Sequence, residues 1–351
     1  MVRKQSTRFH FSNFQKTIVF KALYLGGILK DMCPDGITLR SRNKYKRIIL
    51  FCLAPLALIL GLLIKCYGAI DFLLKDCHHK KYKFAVVIIV KNESEYIEEW
   101  LAFHKIIGVD CVFLYDNDST DNMKNVIQPY IDNGFVVYNA YPGKCKQLEA
   151  YNDALKRYGS LCHYLAFIDC DEFIMPADHH RNVVDMIDEA FRKDMNAGGL
   201  GINWAIFGSS GHKTKTPGLV MERFLYRSNA DFITNSIIKS IVKPSMVKRF
   251  LHPHYPEYTL GHYGINMNGE IISLYYNYIE EFPSLKLNHY YTKSKEEWDK
   301  RRSLGKVYYN KDEPPIVSDD YYYRNDLNDI KDDNALFYCE KVKEMINHSY
   351  A

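Results

Sequence analysis

The chain has 351 residues, 47% of them hydrophobic and 14% aromatic, with 46 Lys and Arg against 42 Asp and Glu and a formal net charge of +4. That length suits one large domain with an appendage, and so mild a charge gives no ground for a nucleic-acid partner. The nine cysteines show no C-x-x-C and no zinc spacing, and their odd number suits free thiols in a reducing compartment.

The first predicted element is apolar. Ile48 to Ile64 runs 17 residues without a charge, flanked by Lys44, Lys46, Arg47 and Lys65, which meets the minimum length for a membrane span. It starts too far into the chain for a signal peptide and lacks a small-residue cleavage site. Pro55 would kink a helix there. With six Lys and Arg in the twenty residues before the run and five in the twenty after, the positive-inside rule barely decides orientation. A single span and a re-entrant hairpin with both ends cytoplasmic are both open, and Ile18 to Leu29 could lie in the interface. Residues 1–81 are read as a membrane-associating region with the following domain on the cytoplasmic face; the alternative is a type II anchor with that domain in the Golgi lumen.

Phe84 to Val90 is a continuous β-branched run, as expected of an interior strand of a parallel sheet. A helix follows, with Ile97, Trp100, Leu101, His104 and Ile107 at three- and four-residue spacing, Asn92 or Ser94 placed to cap it and Gly108 to end it. A strand over Cys111–Tyr115, a short helix from Met123 to Tyr130, a strand over Phe135–Tyr138 after Gly134, a helix over Gln147–Tyr158 and a strand over Tyr164–Ile168 complete a βαβαβαβ pattern. A mostly parallel α/β sheet with right-handed crossovers is the economical topology.

The last of these strands runs into Asp169-Cys-Asp171-Glu172. A D-x-D alone means little, since a chain of this size holds about one or two by chance. Its place matters more, because ligands of open α/β sheets sit beyond the carboxyl ends of the strands. Neither a G-x-G-x-x-G nor a G-x-x-x-x-G-K-[ST] is present, so the glycine turns that cradle phosphates are excluded. The strand ends offer polar groups instead: Asn92 and Glu93, then Asp116, then Asp169 and Asp171. Carboxylates repel a diphosphate unless a hard cation intervenes. A nucleotide with its base and ribose near Asp116, and its diphosphate on a metal near Asp171, satisfies both demands. Cys170, between the two carboxylates, is expected to point into the core by strand alternation.

In order along the chain, Val90-Lys-Asn-Glu93, Tyr115-Asp-Asn-Asp-Ser-Thr-Asp121, Phe167-Ile-Asp-Cys-Asp-Glu-Phe173 and Asn288-His-Tyr-Tyr-Thr-Lys-Ser294 resemble a GT-A glycosyltransferase, most closely of families 2 and 92. The resemblance covers roughly residues 84 to 310, giving a domain over 82–310 and a helical extension over 311–351 to which no chemistry is assigned. It implies inverting transfer of a sugar from a nucleotide-diphosphate donor to a glycan, polysaccharide or glycolipid acceptor, with a divalent metal held at the D-x-D. It further implies that Asp116 binds the base, that Asp169 and Asp171 supply the ribose and metal contacts, and that His289 is a third metal ligand. A histidine ligand favours manganese over magnesium. A hydrogen-bonded core histidine is the other role open to His289.

For the catalytic base the candidates are Glu222, Asp231 and Glu257. Glu222 lies in the apolar, strand-like run Val220-Met-Glu-Arg-Phe224, where burial would raise its pKa toward a useful value; an ion pair with Arg223 is its other reading. Trp204, entering a Gly/Ser loop, is a candidate to stack on an acceptor sugar or a core tryptophan. Short strands recur from 219 to 291, and Ser294-x-x-Glu297 forms a capping box ahead of a helix with Trp298. Two other functions fit less of this pattern: a non-catalytic sugar-nucleotide or glycan-binding protein, and a nucleotidyltransferase.

Overall fold

The computed structural model of the chain describes residues 59–73, 80–303 and 319–348. Residues 48–58 of the apolar run lie outside these. The strands are β1 (Tyr82–Val90), β2 (Cys111–Asp116), β3 (Val136–Ala140), β4 (Cys162–Phe167), β5 (Glu172–Pro176), β6 (Ala197–Ile206), β7 (Tyr226–Arg227), β8 (Ile238–Val242), β9 (Val247–His252), β10 (Tyr255–Tyr258), β11 (Tyr263–Ile265), β12 (Leu285–His289) and β13 (Ile330–Lys331). The helices are α1 (59–73), α2 (Ile97–Ile106), α3 (Met123–Val126), α4 (Gln128–Asp132), α5 (Gln147–Tyr158), α6 (Val183–Arg192), α7 (Val220–Arg223), α8 (Lys295–Ser303), α9 (Asp319–Asn325) and α10 (Leu336–His348).

The main sheet runs β3-β2-β1-β4-β8-β6-β12-β5, with β11 beside β6. Its first four strands are parallel, as the sequence pattern requires, and their register puts Val90 beside Asp116 and Asp116 beside Ala140. The second half is mixed: β8 runs antiparallel to β4 and β6, and β5 antiparallel to β12. Strand alternation divides the core in two. Phe84, Val86 and Ile88 face Trp100, Phe103, Met186 and Ile187 on one side, while Ala85, Val87 and Ile89 face Ala150, Tyr151 and Ala154 of α5 on the other.

Several local expectations change. Neither Asn92 nor Ser94 caps α2, which starts after Tyr96 without a side-chain cap. Instead the Asn92 side chain accepts from the Thr120 amide at 2.7 Å, and the Ser94 amide donates to Asp121 at 2.9 Å. Both residues therefore tie the end of β1 to the loop after β2. The helix expected from Met123 to Tyr130 is two short ones, with Pro129 in the first turn of the second. Gly108 (φ 98°) ends α2 in the left-handed region, as expected of a terminal glycine. The capping box at Ser294 is reciprocal: the Ser294 amide donates to Glu297 Oε2 at 3.2 Å, and the Glu297 amide to Ser294 Oγ at 3.3 Å. Residues 319–348 do more than extend the domain. Tyr338, Cys339 and Val342 of α10 are buried in the core that holds α2, and β13 pairs with β7. Cys170 is buried in the same core, and Cys111, Cys162, Cys170 and Cys339 are free thiols.

Among the described residues no helix is long and apolar enough to cross a membrane. Helix α1 lies against the domain through glycines. A Cβ on Gly68 would come within 2.8 Å of Asn196 Nδ2 and 3.0 Å of the Gly261 carbonyl, and one on Gly261 within 2.7 Å of the Ile64 carbonyl. Lys65 pairs with Asp194 at 3.3 Å. The outward face of α1 carries Ile59, Leu62, Leu63, Tyr67, Ile70 and Leu73, all more than half exposed.

Candidate active site

The carboxyl ends of β1, β2, β4, β6 and β12 and the amino ends of β5 and β8 share one edge of the sheet. That shared edge is what collects the polar residues. Asp116, the last residue of β2, is buried; its Oδ1 accepts from the Ser119 amide at 3.0 Å and its Oδ2 from the Tyr138 hydroxyl at 2.8 Å. Asn92, in a left-handed conformation (φ 57°), closes the neighbouring loop through Thr120 and Ser119. Glu93 is half-buried, and burial raises its carboxyl pKa against the pull of Lys293 and Arg301.

Asp169 and Asp171 turn to different partners. Asp169 accepts from Gln147 Nε2 at 3.0 Å and from Lys239 Nζ at 2.8 Å. Lys239 sits in β8 with its side chain 2% exposed, and also lies 3.7 Å from Glu172 Oε2. Asp171 Oδ2 accepts from Arg301 Nη1 at 2.6 Å and is 3.5 Å from His289 Nε2. Burial alone would raise the Asp171 carboxyl, but the Arg301 guanidinium and then His289 outweigh it and hold it well below the usual carboxylate range. His289 is buried, yet its Nδ1 has no hydrogen-bond partner.

Among the described residues no three His, Cys, Asp or Glu side chains are grouped to hold a metal ion. Asp171 and His289 form a pair, an oxygen and a nitrogen donor that suit a divalent ion able to take further oxygens from a diphosphate or water. Asp169 is not joined to that pair. Its carboxylate is turned to the Lys239 ammonium, which compensates its charge.

Glu172 is fully buried. It accepts from the Trp204 indole at 2.7 Å and from the Asp169 amide at 2.8 Å, and burial pushes its pKa up while Lys239 opposes. The Trp204 indole edge is thus fixed in the interior, and its half-buried ring lies 4.4 Å from the His289 ring.

The structure does not bring Glu222 to this cluster. Its segment is helix α7 rather than a strand, and its carboxylate bonds the Leu219 amide and pairs at 2.5 Å with Lys343 of α10, not with Arg223. Arg223 pairs with Glu297 at 2.8 Å. Asp231 is exposed, and Glu257 pairs with Lys248 and Arg249. Sequence reasoning missed Lys239 and Arg301. For Lys239 there was a signal, a lone charge in the apolar strand Ile237-Ile-Lys-Ser-Ile-Val242. For Arg301, in a helix crowded with charges, there was none.

Fold and site together define an α/β protein with an acidic cluster at the carboxyl edge of its sheet. The profile of glycosyltransferase family 92 matches residues 83–318, about two thirds of the chain. The chain belongs to glycosyltransferase family 92. A family 92 protein of Ricinus communis is 29% identical over 136 residues, 38% of this chain and 24% of the relative. One of Oryza sativa is 28% identical over 101 residues, 28% of this chain and 17% of the relative. The matched segment thus spans about a quarter of the length of the first of these relatives. Among solved structures, S. aureus TarS residues 1–349 with UDP-GlcNAc aligns over 47% of this chain and 46% of that one, at TM-score 0.31 and 18% identity. Glucosyl-3-phosphoglycerate synthase of Mycobacterium tuberculosis with Mn2+, UDP and glucosyl-3-phosphoglycerate aligns over 40% of this chain and 48% of that one, at TM-score 0.24 and 17% identity.

Proposed function

We propose that this chain is a metal-dependent, inverting glycosyltransferase on a GT-A-type fold, transferring a sugar from a nucleotide-diphosphate donor to a glycan or lipid-linked acceptor. The approach of Asp171 Oδ2 and His289 Nε2 to 3.5 Å at the carboxyl edge of the sheet carries this reading, together with the family membership. Asp171 and His289 would hold the divalent ion, manganese in preference to magnesium because of the imidazole. When bound, that ion neutralises the departing diphosphate. The chain's own residues do the rest. Asp116, fixed by Ser119 and Tyr138, presents a carboxylate toward the base, and Asn92 holds the adjoining loop in shape. Asp169, a third exposed, would meet the ribose. Arg301 and Lys293 supply positive charge beside Asp171.

The exposed apolar face of α1, continuous with the uncharged run before it, supports association of the N-terminal region with a bilayer, where donor and lipid-linked acceptor would meet.

The test is hydrolysis of a panel of UDP-, GDP- and CDP-sugars with and without Mn2+, alongside equilibrium Mn2+ binding. Wild-type protein should hydrolyse one donor in a chelator-sensitive way, and Asp171→Ala should lose both hydrolysis and Mn2+ binding while staying folded. Full, chelator-insensitive activity in that variant would sink the metal-dependent reading.

A further inference from the structure

A strip of aromatic rings leads away from Asp171. It starts at His289 and passes to Trp204 (ring centroids 4.4 Å), then to His254 (5.1 Å) and His252 (5.1 Å), then to Tyr275 (4.7 Å, planes within 14°) and Tyr276 (4.2 Å). Tyr255 joins it, 5.4 Å from His252 with planes 23° apart. This is not core packing. Trp204, His252, His254, Tyr255 and Tyr275 are all half-buried, and Tyr276 is 49% exposed.

The strip is held in place from below. The Trp204 indole is bonded to buried Glu172, and His254 Nδ1 lies 2.8 Å from the Ile238 carbonyl at the start of β8. The Ser240 hydroxyl donates to the His254 carbonyl at 2.7 Å, and the Ile238 amide donates to the Tyr275 carbonyl at 3.1 Å. Two of the three segments, 252–255 and 275–276, are thus tied to the strand that carries Lys239, and the third, at 204, to Glu172. Rings anchored by their edges or backbones lose little freedom when a ligand covers them.

We propose that this strip is the acceptor subsite, a stacking platform for the sugar rings of a glycan. The proposal rests on the glycosyltransferase reading above and adds the position of the acceptor. A pyranose presents an apolar C–H face and a rim of hydroxyls. The strip offers it the outer faces of the tyrosines that stack on His252 through their inner faces, with Tyr hydroxyls at the edges. A lipid tail would call for aliphatic side chains, which the strip lacks. Both histidines also suit a neutral ligand: burial and then Lys239 depress His252, and the same two causes push His254 down to about 2, so both rings are uncharged at neutral pH. Because the strip begins at His289, a sugar stacked on Trp204 would lie beside the donor carbon, and rings further along the glycan would cover His252 and Tyr275.

Binding of oligosaccharides of β-linked glucose, galactose or N-acetylglucosamine, followed by Trp fluorescence on the whole chain, tests this. Tyr275→Ala and Tyr276→Ala should each weaken binding of the best oligosaccharide, Tyr275→Ala by roughly tenfold, whereas Tyr275→Phe, which keeps the ring, should bind nearly as wild type does. Equal affinity of wild type and Tyr275→Ala, or no binding of any of these oligosaccharides to wild type, would overturn the platform. Binding of UDP, GDP and CDP with Mn2+ is measured in parallel. If one nucleotide binds while the tyrosine variants are indistinguishable from wild type, the platform alone fails; if none binds, the glycosyltransferase reading falls first.

Discussion

Lys239 Nζ lies 2.8 Å from Asp169 Oδ2 and 3.7 Å from Glu172 Oε2, so one buried ammonium serves the first carboxylate of the D-x-D and the glutamate that follows it. The two aspartates are therefore compensated separately, Asp169 from inside the sheet by Lys239 and Asp171 from α8 by Arg301.

Removing Lys239 should be costly. Lys239→Met keeps most of the side-chain volume but leaves two carboxylates facing each other, one fully buried and one about a third exposed. Loss of one partner from a buried charge group costs about 3 kcal/mol or more, measured as a lower urea midpoint with unchanged slope. A loss under about 1 kcal/mol would mean that Glu172 is protonated and needs no counter-charge.

Arg301 and a metal compete for the same oxygen. The guanidinium already occupies Asp171 Oδ2, but its side chain is 46% exposed and can leave into solvent. Arg301→Ala is expected to tighten Mn2+ binding by roughly threefold, a modest gain because the exposed end of the pair is screened. Electron paramagnetic resonance of free Mn2+ during titration reads it directly. Weaker binding would show instead that Arg301 helps to build the metal site.

Glu99 of α2 sets a pH dependence of stability. Its carboxyl is pushed up to about 7 by burial, although the Met221 and Val220 amides donate to it. The folded chain therefore keeps a proton that the unfolded chain releases from its ordinary value of 4.5 upward. Stability should fall as pH rises between those two values, by about 3 kcal/mol in all, with the loss complete above about pH 7. Urea midpoints at pH 5 and pH 8 should differ less in Glu99→Gln than in wild type; an equal difference removes Glu99 as the source.

How much of this was legible follows from the range of the signals. β1, β2 and β4 are buried on both faces, so each reads as an unbroken apolar run, and the polar residues that end them mark the site edge. Asp116, Asp169 and Asp171 could be named for that reason, whereas His289, at the end of β12, was named only through the family resemblance. The expected base, Glu222, lay in a run whose apolar residues suit a strand and one helical turn equally, and its partner Lys343 is over a hundred residues away. Lys239 and the strip from Trp204 to Tyr276 depend on the antiparallel addition of β8 to the sheet, and Arg301 on the packing of α8 130 residues beyond Asp171 in sequence. No local period encodes those meetings.

The contact of Gly68 with Gly261 leaves no room for compensation. Where a bulky residue meets a small one, a clash made by substitution on one side can be relieved by trimming the other; here both positions already carry the smallest residue, and apart from the Asn196 amide the atoms in the way are backbone. Gly261 also stands at φ 87°, a conformation that side chains resist even where space exists. A side chain at either point would act as a wedge that pries α1 from the turn beside β11. The damage would spread along a seam rather than stay at one residue, and no second-site change at the facing glycine could repair it.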